Sequence, residues 1–255
     1  MAKFTKAEEL TKIRESGRIL ARVLKQIKQF IVPGITTKAV DQMAEELIKR
    51  EGARPAFKGY RGFPASLCIS LNEQVVHGIP SDRKIAEGDL VSIDAGVDLE
   101  GFFTDAAFSM VVGRGKEVAH RLVMVTEESL FAGIKQVRSG QRIGDISFAI
   151  QKTIERAGFS VVRDFVGHGV GRALHEEPQI PNFGKKHRGP VLEEGMVLAI
   201  EPMANEGDFR VEINNNGWTV VTADQKLSAH FEHTVLVTNR GWEILTDGQK
   251  KDDCS

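Results

Sequence analysis

The pattern of apolar and polar positions along the chain predicts four amphipathic helices. Apolar residues recur every three or four positions over about residues 5–30, 36–51, 115–137 and 143–157. This spacing places them on one face of an α-helix. The second stretch is followed by Gly52, a typical helix stop. The helices therefore come as two successive pairs.

An alternating stretch that ends near Asp94 follows the first helix pair. Apolar residues alternate with small or acidic ones over residues 91–97, which predicts a β-strand, and residues 107–112 form its return strand. The turn between them is Asp98-Leu99-Glu100-Gly101, with glycine in the last place. If the second and third turn residues are central, Asp94 faces Asp105. Directly opposed side chains lie about 4.5–5.5 Å apart at Cβ, so two acids there need a cation or a shared proton.

The chain repeats this arrangement later. The strand that ends in Asp94 reappears as a strand that ends in Glu201, and a return strand begins near Glu232. Asn216-Gly217 lies between them and is the strongest short signal for a hairpin turn. A hairpin centred there places Glu201 opposite Glu232, although its length and Pro202 predict bulges.

An internal duplication explains both hairpins. Each half, roughly residues 5–113 and 114–247, contains two helices, strands and an acidic hairpin. Such a duplication predicts pseudo-twofold symmetry, with a shared sheet and a site where the halves meet. We therefore expect one domain over residues 1–255, of the α+β class, with an antiparallel sheet backed on one face by four helices.

The four acids of the hairpins form a candidate metal site. Oxygen-rich clusters hold divalent metal ions, and two ions about 3.5–4 Å apart suit bridging carboxylates. Chance spacing is the alternative, because the chain contains 35 acidic residues. Two acid pairs at matching places in a repeat make chance the weaker explanation. The residues are Asp94, Asp105, Glu201 and Glu232.

Histidines flanked by glycine add to this site. His168 lies between Gly167 and Gly169, where a side chain can approach a ligand closely. One imidazole and four carboxylates make a plausible five-ligand set. The same segment resembles a glycine-rich phosphate loop but lacks the Gly-Lys-Ser/Thr ending, which excludes a nucleotide site. His77 and His175 are candidates for orienting substrate or stabilising a tetrahedral intermediate.

Composition narrows the class of protein. The chain is 41% hydrophobic and 27% charged, with a net charge of −1, which argues against a nonspecific nucleic-acid binder. Cys68 lies in an apolar run and Cys254 in a polar tail, so we expect no disulfide framework and a reducing, cytoplasmic setting. No segment resembles a signal peptide or is long enough to span a bilayer.

These motifs together resemble the type I methionine aminopeptidases of the bacterial kind, over about residues 5–247. The resemblance implies the pita-bread fold, one catalytic domain and removal of N-terminal methionine from peptides and nascent proteins whose second residue is small. The matching pieces are His77-Gly78-Ile79-Pro80, the Asp94 and Asp105 hairpin, Gly167-His168-Gly169-Val170-Gly171, His175-Glu176-Glu177-Pro178, Glu201-Pro202 and Glu232-His233-Thr234.

The same resemblance implies the roles of the site residues. Asp94 binds one metal ion, His168 and Glu201 bind the other, and Asp105 and Glu232 bridge both. A hydroxide that bridges the metals attacks the carbonyl of residue one, and Glu201 accepts a proton. His175 contacts that carbonyl and the developing oxyanion, and His77 contacts the scissile amide or the next residue.

The resemblance implies a methionine pocket formed by six positions of this chain. An unbranched thioether suits a pocket lined by apolar side chains, aromatic rings and sulfur. Ordinary core packing is the alternative for each of them. Phe57 stands where a cysteine is frequent, and Leu174 where an aromatic residue is usual, so selectivity is open. The family's monovalent-cation positions correspond to Asn72, Gln74 and Ser228. The pocket residues are Phe57, Tyr60, Phe63, Cys68, Leu174 and Trp218.

Two other classes remain as alternatives. An Xaa-Pro aminopeptidase or dipeptidase shares the five ligands but usually carries a separate N-terminal domain, for which the first helix leaves no room. A non-catalytic binding member of the fold would be expected to lose ligands. The ligand set fits cobalt, manganese, iron or zinc. The substrate suggests the ribosome as a partner without a charge patch to indicate it, and we expect a monomer.

Overall fold

The computed structural model describes residues 3–248, so the terminal residues, Cys254 among them, lie outside the description. Four α-helices are found in the described part, and their bounds agree with the predicted helices to within a few residues. A short 3₁₀ helix, Tyr60–Gly62, follows the first pair. The helices are α1 (Ala7–Phe30), α2 (Thr37–Arg50), α3 (Glu117–Ile134) and α4 (Ile143–Arg156).

The strands within residues 3–248 form four antiparallel sheets. The strands of the first part of the chain are β1 (Arg54–Pro55), β2 (Leu67–Leu71), β3 (Gln74–Val76), β4 (Leu90–Leu99) and β5 (Phe102–Val111). Those of the second part are β6 (Ser160–Val161), β7 (Gly167–Gly169), β8 (Glu176–Ile180), β9 (Val197–Ile200), β10 (Met203–Asn205), β11 (Val211–Ile213), β12 (Val220–Thr222), β13 (Ser228–His230), β14 (His233–Thr238) and β15 (Gly241–Ile244).

The sheet topology confirms the α+β class. One sheet holds β1, β4, β2 and β5, and a second has the order β15-β14-β9-β7-β8. The two smaller sheets have the orders β13-β10-β6 and β11-β12-β3. The apolar faces of the helices pack on these strands in two main cores. Residues of α1 and α2 pack with β2, β4 and β5, and residues of α3 and α4 pack with β9 and β14.

The first acidic hairpin has a different register from the one expected. Asp94 pairs with Ala107 and Asp105 pairs with Gly96, so the two acids are not directly opposed. The central turn residues are Glu100 and Gly101, with φ of 54° and 86°. A two-residue type I′ turn needs positive φ at both positions, which places glycine at the centre of the turn and not at its end. The shift is two residues, so both acids keep the same face of the sheet.

The second hairpin has the expected register throughout. Ile200 pairs with His233 and Met203 with His230, so Glu201 and Glu232 lie at the positions between these pairs. The pairing of β11 with β12 continues the same register up to the turn that contains Asn216-Gly217. The ladder is interrupted where the chain passes from one sheet to the next, but the register is the same on both sides, so the predicted bulges are not found in this hairpin.

Candidate metal centre and substrate pocket

The two acidic hairpins meet at one backbone bridge. The Ala107 N–H donates to the Glu232 carbonyl (3.2 Å), and the Glu232 N–H donates to the Ala107 carbonyl (2.9 Å). This bridge lies beside Asp94, the ladder partner of Ala107. Four acids that are distant in sequence are thereby brought to one place, and all of them line a single cavity of about 140 Å³.

His168 reaches this cavity from β7. Its Nδ1 lies 2.9 Å from the Gly169 carbonyl oxygen, which leaves Nε2 free for a ligand. Nε2 lies 3.5 Å from Oε1 of Glu201. Asp105, His168 and Glu232 are buried, and each offers one ligand atom within 4.8 Å of the others. This is the spacing of groups that can share one metal ion.

The glycines beside His168 are needed for close packing. A Cβ on Gly167 would lie 2.4 Å from the Ala199 carbonyl oxygen, and a Cβ on Gly169 would lie 2.3 Å from that of Glu177. Real Cβ atoms essentially never come this close to a backbone oxygen. From the sequence, we expect these glycines to let His168 approach a ligand closely. The structure shows that they let β7 pass close to its neighbours, which fixes the position of His168.

The electrostatics of the acids fit a bound cation. Asp94 Oδ1, Asp105 Oδ1 and Glu232 Oε1 are buried and have no hydrogen-bond partner among the described residues. Burial raises the pKa of Asp94 to about 7. Burial, followed by the neighbouring acids, raises the pKa of Asp105, Glu201 and Glu232 well above their usual values. Buried carboxylates without partners are costly, and divalent cations would satisfy their oxygens.

His77 and His175 lie on the wall of the same cavity. His77 has φ of +58°, an uncommon backbone conformation for a residue that is not glycine. Its ring packs edge-on against Phe165 and Trp218, with centroids 5.6 and 6.4 Å away. Burial lowers the pKa of His77, and burial together with nearby His168 lowers the pKa of His175 to about 3. Both rings are therefore neutral near pH 7 in the metal-free chain.

The six predicted pocket residues come together beside the acids. All of them line the cavity and belong to one apolar cluster. Phe63 and Trp218 pack edge to face, with ring centroids 5.1 Å apart. The pKa of the Cys68 thiol is raised by burial, so this side chain is a neutral part of the wall. A narrow apolar pocket thus ends at a cluster of acids and histidines.

Three nearby residues were not assigned from the sequence. His230 is buried, and its Nε2 lies 3.7 Å from Oε2 of Glu201 without a hydrogen bond in the described part of the chain. Asn182 donates from Nδ2 to the Glu201 carbonyl (3.0 Å). Arg61 lines the cavity. The position of His230, two residues before Glu232, could have indicated a place near the site. Nothing in the sequence indicates the contact of Asn182 with Glu201.

The three residues predicted to hold a monovalent cation lie close together. The Ser228 N–H donates to the Asn72 carbonyl (2.9 Å), and the Asn72 side chain is bonded to Asp89 and to the Leu90 N–H. The side-chain oxygen of Gln74 accepts from the Leu71 N–H. Asn72 and Gln74 therefore use their side chains locally, and a cation role for the three positions stays a prediction.

Comparisons with known proteins define the class. Residues 11–239 match metallopeptidase family M24, and the chain belongs to this family. The methionine aminopeptidase of Clostridium perfringens is 55% identical over 227 residues, which cover 89% of this chain and 91% of that protein. Methionine aminopeptidase 1 of Bacillus subtilis is 51% identical over 227 residues, covering 89% and 92% of the two chains.

Solved structures agree with this assignment. A methionine aminopeptidase from Thermotoga maritima superimposes with a TM-score of 0.94 at 48% identity, covering 96% of this chain and 99% of that chain. A prolidase from Pyrococcus furiosus has a TM-score of 0.79 at 25% identity, and the match covers 96% of this chain but 66% of the prolidase. The predicted pita-bread fold is confirmed. No helix within residues 3–248 is long and apolar enough to cross a membrane.

Proposed function

We propose that this chain is a metal-dependent methionine aminopeptidase. It hydrolyses the first peptide bond of peptides and nascent proteins that begin with methionine. The observation that carries this function is the single cavity in which five potential metal ligands adjoin six apolar pocket residues. The relatives at 46–55% identity named methionine aminopeptidase support the same activity.

The proposed metal ligands are the five residues that the sequence indicated. Asp94, Asp105, His168, Glu201 and Glu232 would hold the metal ions, with Asp105 and Glu232 shared between two ions as the resemblance implies. When bound, the two ions supply Lewis-acid polarisation of the carbonyl and an activated water near neutral pH. Cobalt, manganese, iron and zinc all suit such a set.

The chain's own residues position the peptide and move protons. Glu201 accepts a proton, because its carboxylate lies beside the ligand cluster and its Oε1 is within 3.5 Å of His168. His175 donates a hydrogen bond to the carbonyl oxygen of the first residue, where negative charge develops. His77 faces the scissile amide or the second residue. Its ring packs edge-on against Phe165 and Trp218, which supports a fixed wall beside the second residue and a preference for a small side chain there.

The apolar part of the cavity receives the methionine side chain. Its aromatic rings and the neutral Cys68 thiol suit an unbranched thioether, since sulfur makes favourable contacts with ring edges. A volume of about 140 Å³ is small, and this favours one side chain of moderate size.

Several finer assignments belong to this proposal. Residues 1–255 form one catalytic domain with halves of about 5–113 and 114–247. The enzyme acts in the cytoplasm as a monomer, with the ribosome as the source of its nascent substrates. A monovalent cation at Asn72, Gln74 and Ser228 is part of the same proposal, and their proximity supports it.

A peptide panel with metal analysis tests the function. The protein is purified anaerobically, its metal content is measured, and Met-Ala-Ser is compared with Ala-Pro peptides after loading with cobalt, manganese, iron or zinc. We expect release of methionine from Met-Ala-Ser and little cleavage of Ala-Pro peptides. Preferred cleavage of Ala-Pro substrates would indicate the Xaa-Pro class, and no turnover with any metal would indicate a binding protein.

A further inference from the structure

Tyr60 belongs both to the apolar pocket and to the environment of His175. Its ring lines the cavity and stacks on the His175 ring, with centroids 5.1 Å apart and planes 23° apart. Its hydroxyl oxygen lies 3.0 Å from Nδ1 of His175. Within residues 3–248, the His175 ring makes no other hydrogen bond. The proposed carbonyl-binding histidine is therefore held by a residue of the pocket wall.

The backbone around Tyr60 is fixed by a tight turn. The Tyr60 N–H donates to the Phe57 carbonyl (2.9 Å), and the Phe63 N–H donates to the Tyr60 carbonyl (2.9 Å). The Arg61 guanidinium lies over the Tyr60 ring, 5.4 Å from its centroid. With His175 stacked on the same ring, the phenol is held by its backbone and by two neighbouring side chains. Such a group can act as a pre-organised support for another residue.

The direction of this hydrogen bond decides what His175 can do. A neutral imidazole carries one proton, and the partner of one ring nitrogen determines which nitrogen holds it. If Nδ1 donated to the phenol, Nε2 would be an acceptor and would repel a carbonyl oxygen. If the phenol donates to Nδ1, the proton is on Nε2, where it can be donated to the substrate.

We infer that Tyr60 is a positioning residue whose hydroxyl donates to Nδ1 of His175, keeping the ring proton on Nε2 for the substrate carbonyl. This inference rests on the proposed function for its catalytic consequence. The same ring lines the methionine pocket, so a substrate side chain that packs on Tyr60 also steadies the histidine. Binding of the first side chain is thereby linked to stabilisation of the reacting carbonyl.

The kinetic test uses Tyr60→Phe in the zinc-loaded enzyme, which removes one hydroxyl and keeps the ring. We expect kcat for Met-Ala-Ser to fall about 10–100-fold, the usual loss for a group that orients a functional histidine, while KM changes little. Phe63→Leu is the matched control, because Phe63 lines the pocket and packs on Trp218. That change should act mainly on KM. Zinc content is measured in each protein to exclude a loss of metal.

A double-mutant cycle identifies the residue through which Tyr60 acts. In a His175→Ala background, Tyr60→Phe should cause no further loss of kcat, because the side chain that it orients is gone. An equal loss of kcat in both backgrounds, or an unchanged kcat in the single variant, would overturn the inference.

A spectroscopic measurement separates this inference from the proposed function. Nitrogen NMR of the zinc-loaded, ¹⁵N-histidine-labelled protein reports which ring nitrogen of His175 carries the proton. We expect Nε2–H in the wild-type protein and a mixture of tautomers in Tyr60→Phe. A proton on Nδ1 in the wild type, or the same tautomer in both proteins, refutes the positioning role. If the wild type releases no methionine, the proposed function fails, but the tautomer comparison still decides the role of Tyr60.

Discussion

Thr234 and Asp105 hold each other through two hydrogen bonds although they lie far apart in the sequence. The Asp105 N–H donates to Oγ1 of Thr234 (2.8 Å), and the Thr234 hydroxyl donates to the Asp105 carbonyl (2.7 Å). Thr234 is fully buried and follows Glu232 by two residues. One hydroxyl therefore fixes the backbone of a proposed bridging ligand relative to the second hairpin.

Replacement of Thr234 by valine should weaken both folding and metal binding. Valine has nearly the same shape but leaves the Asp105 N–H and carbonyl without partners, which costs about 1–3 kcal/mol. A displaced Asp105 should also bind metal about 10–100-fold more weakly. Denaturant unfolding and metal titration measure the two effects.

Thr126→Val is the matched control for this prediction. Thr126 is also fully buried, and its hydroxyl donates to the Leu122 carbonyl within α3 (2.7 Å), away from the metal centre. This control should lose some stability and keep its metal affinity. Equal metal affinity in the two variants would contradict the assigned role of Thr234.

Asp105→Ala should abolish metal loading and turnover. Asp105 is 3% exposed and is a proposed ligand of both ions, so no other side chain replaces it. The metal-free variant should be at least as resistant to unfolding as the metal-free wild type, since one buried acid that repels Glu232 and Asp94 is gone. Glu100→Gln, an exposed change in the turn of the same hairpin, serves as the control for elemental analysis and peptide assay. Turnover retained by Asp105→Ala would disprove the ligand assignment.

Gly167→Ala should disrupt the site through the backbone. The added methyl group would meet the Ala199 carbonyl at 2.4 Å, so β7 must move away from β9 and carry His168 with it. We expect lower stability, by about 1–3 kcal/mol as for other overpacked sites, and weaker metal binding. Gly140→Ala is a useful comparison, because Gly140 has open space around its Cβ position but a φ of +88°. Gly140→Ala should lower the stability and leave metal binding unchanged.

Metal-free and metal-loaded protein should differ in how their stability depends on pH. The folded-state pKa of Asp94 is raised from 3.8 to about 7, and those of Asp105, Glu201 and Glu232 are also raised, so the folded metal-free chain holds protons that the unfolded chain releases. Its stability is therefore lost as pH rises through the folded-state values. The histidines oppose this fall near pH 6.5, because the unfolded chain still holds about half of their protons there while lowered pKa values leave them neutral in the folded chain. About one pH unit higher the unfolded chain has lost those protons as well, and the histidines no longer contribute.

Unfolding experiments from about pH 7.5 to 8.5, above the range in which the unfolded histidines lose their protons, provide the measurement. The free energy of unfolding of the metal-free protein should fall across this range, and that of the metal-loaded protein should not, because metal binding requires deprotonated ligands. Glu201→Gln with Glu232→Gln should flatten the slope of the metal-free protein. A metal-free protein whose stability rises across this range would show that these carboxyls are ionised throughout.

The side chains at positions 57 and 174 should compensate each other in volume. Phe57 and Leu174 line the same cavity and belong to one apolar cluster. Leu174→Phe alone adds bulk to a pocket of about 140 Å³ and should lower kcat/KM for Met-Ala-Ser about tenfold. The double change Phe57→Cys with Leu174→Phe should restore most of the lost kcat/KM. Equal losses in the single and double variants would show that the two positions act independently.

Local patterns in the sequence predicted the elements well because each element obeys a local rule. The helices follow their apolar spacing, and the second hairpin follows the Asn216-Gly217 signal, even across three sheets. The first hairpin was misplaced by two residues because the tetrapeptide at its tip fits two turn types. The register and the positive φ at both Glu100 and Gly101 identify the type I′ turn.

The candidate site was predictable as a set of residues but not as a set of contacts. Repetition of an acid at matching places identified the four carboxylates, and glycines identified His168. The bonds of Tyr60 to His175 and of Thr234 to Asp105 join residues more than 100 positions apart. Such partners depend on how the sheets meet, which periodicity and turn signals do not determine. The hydrogen bond from Asn182 to the Glu201 carbonyl could not be predicted for the same reason.

The bridge between Ala107 and Glu232 has a consequence for the synthesis of the protein itself. During translation the ribosome completes the first acidic hairpin long before Glu232 is added. Until then the early acids lack their partner strand, and a metal ion would find only part of the proposed ligand set. The proposed activity therefore requires the second hairpin and is gained late in the synthesis of the chain.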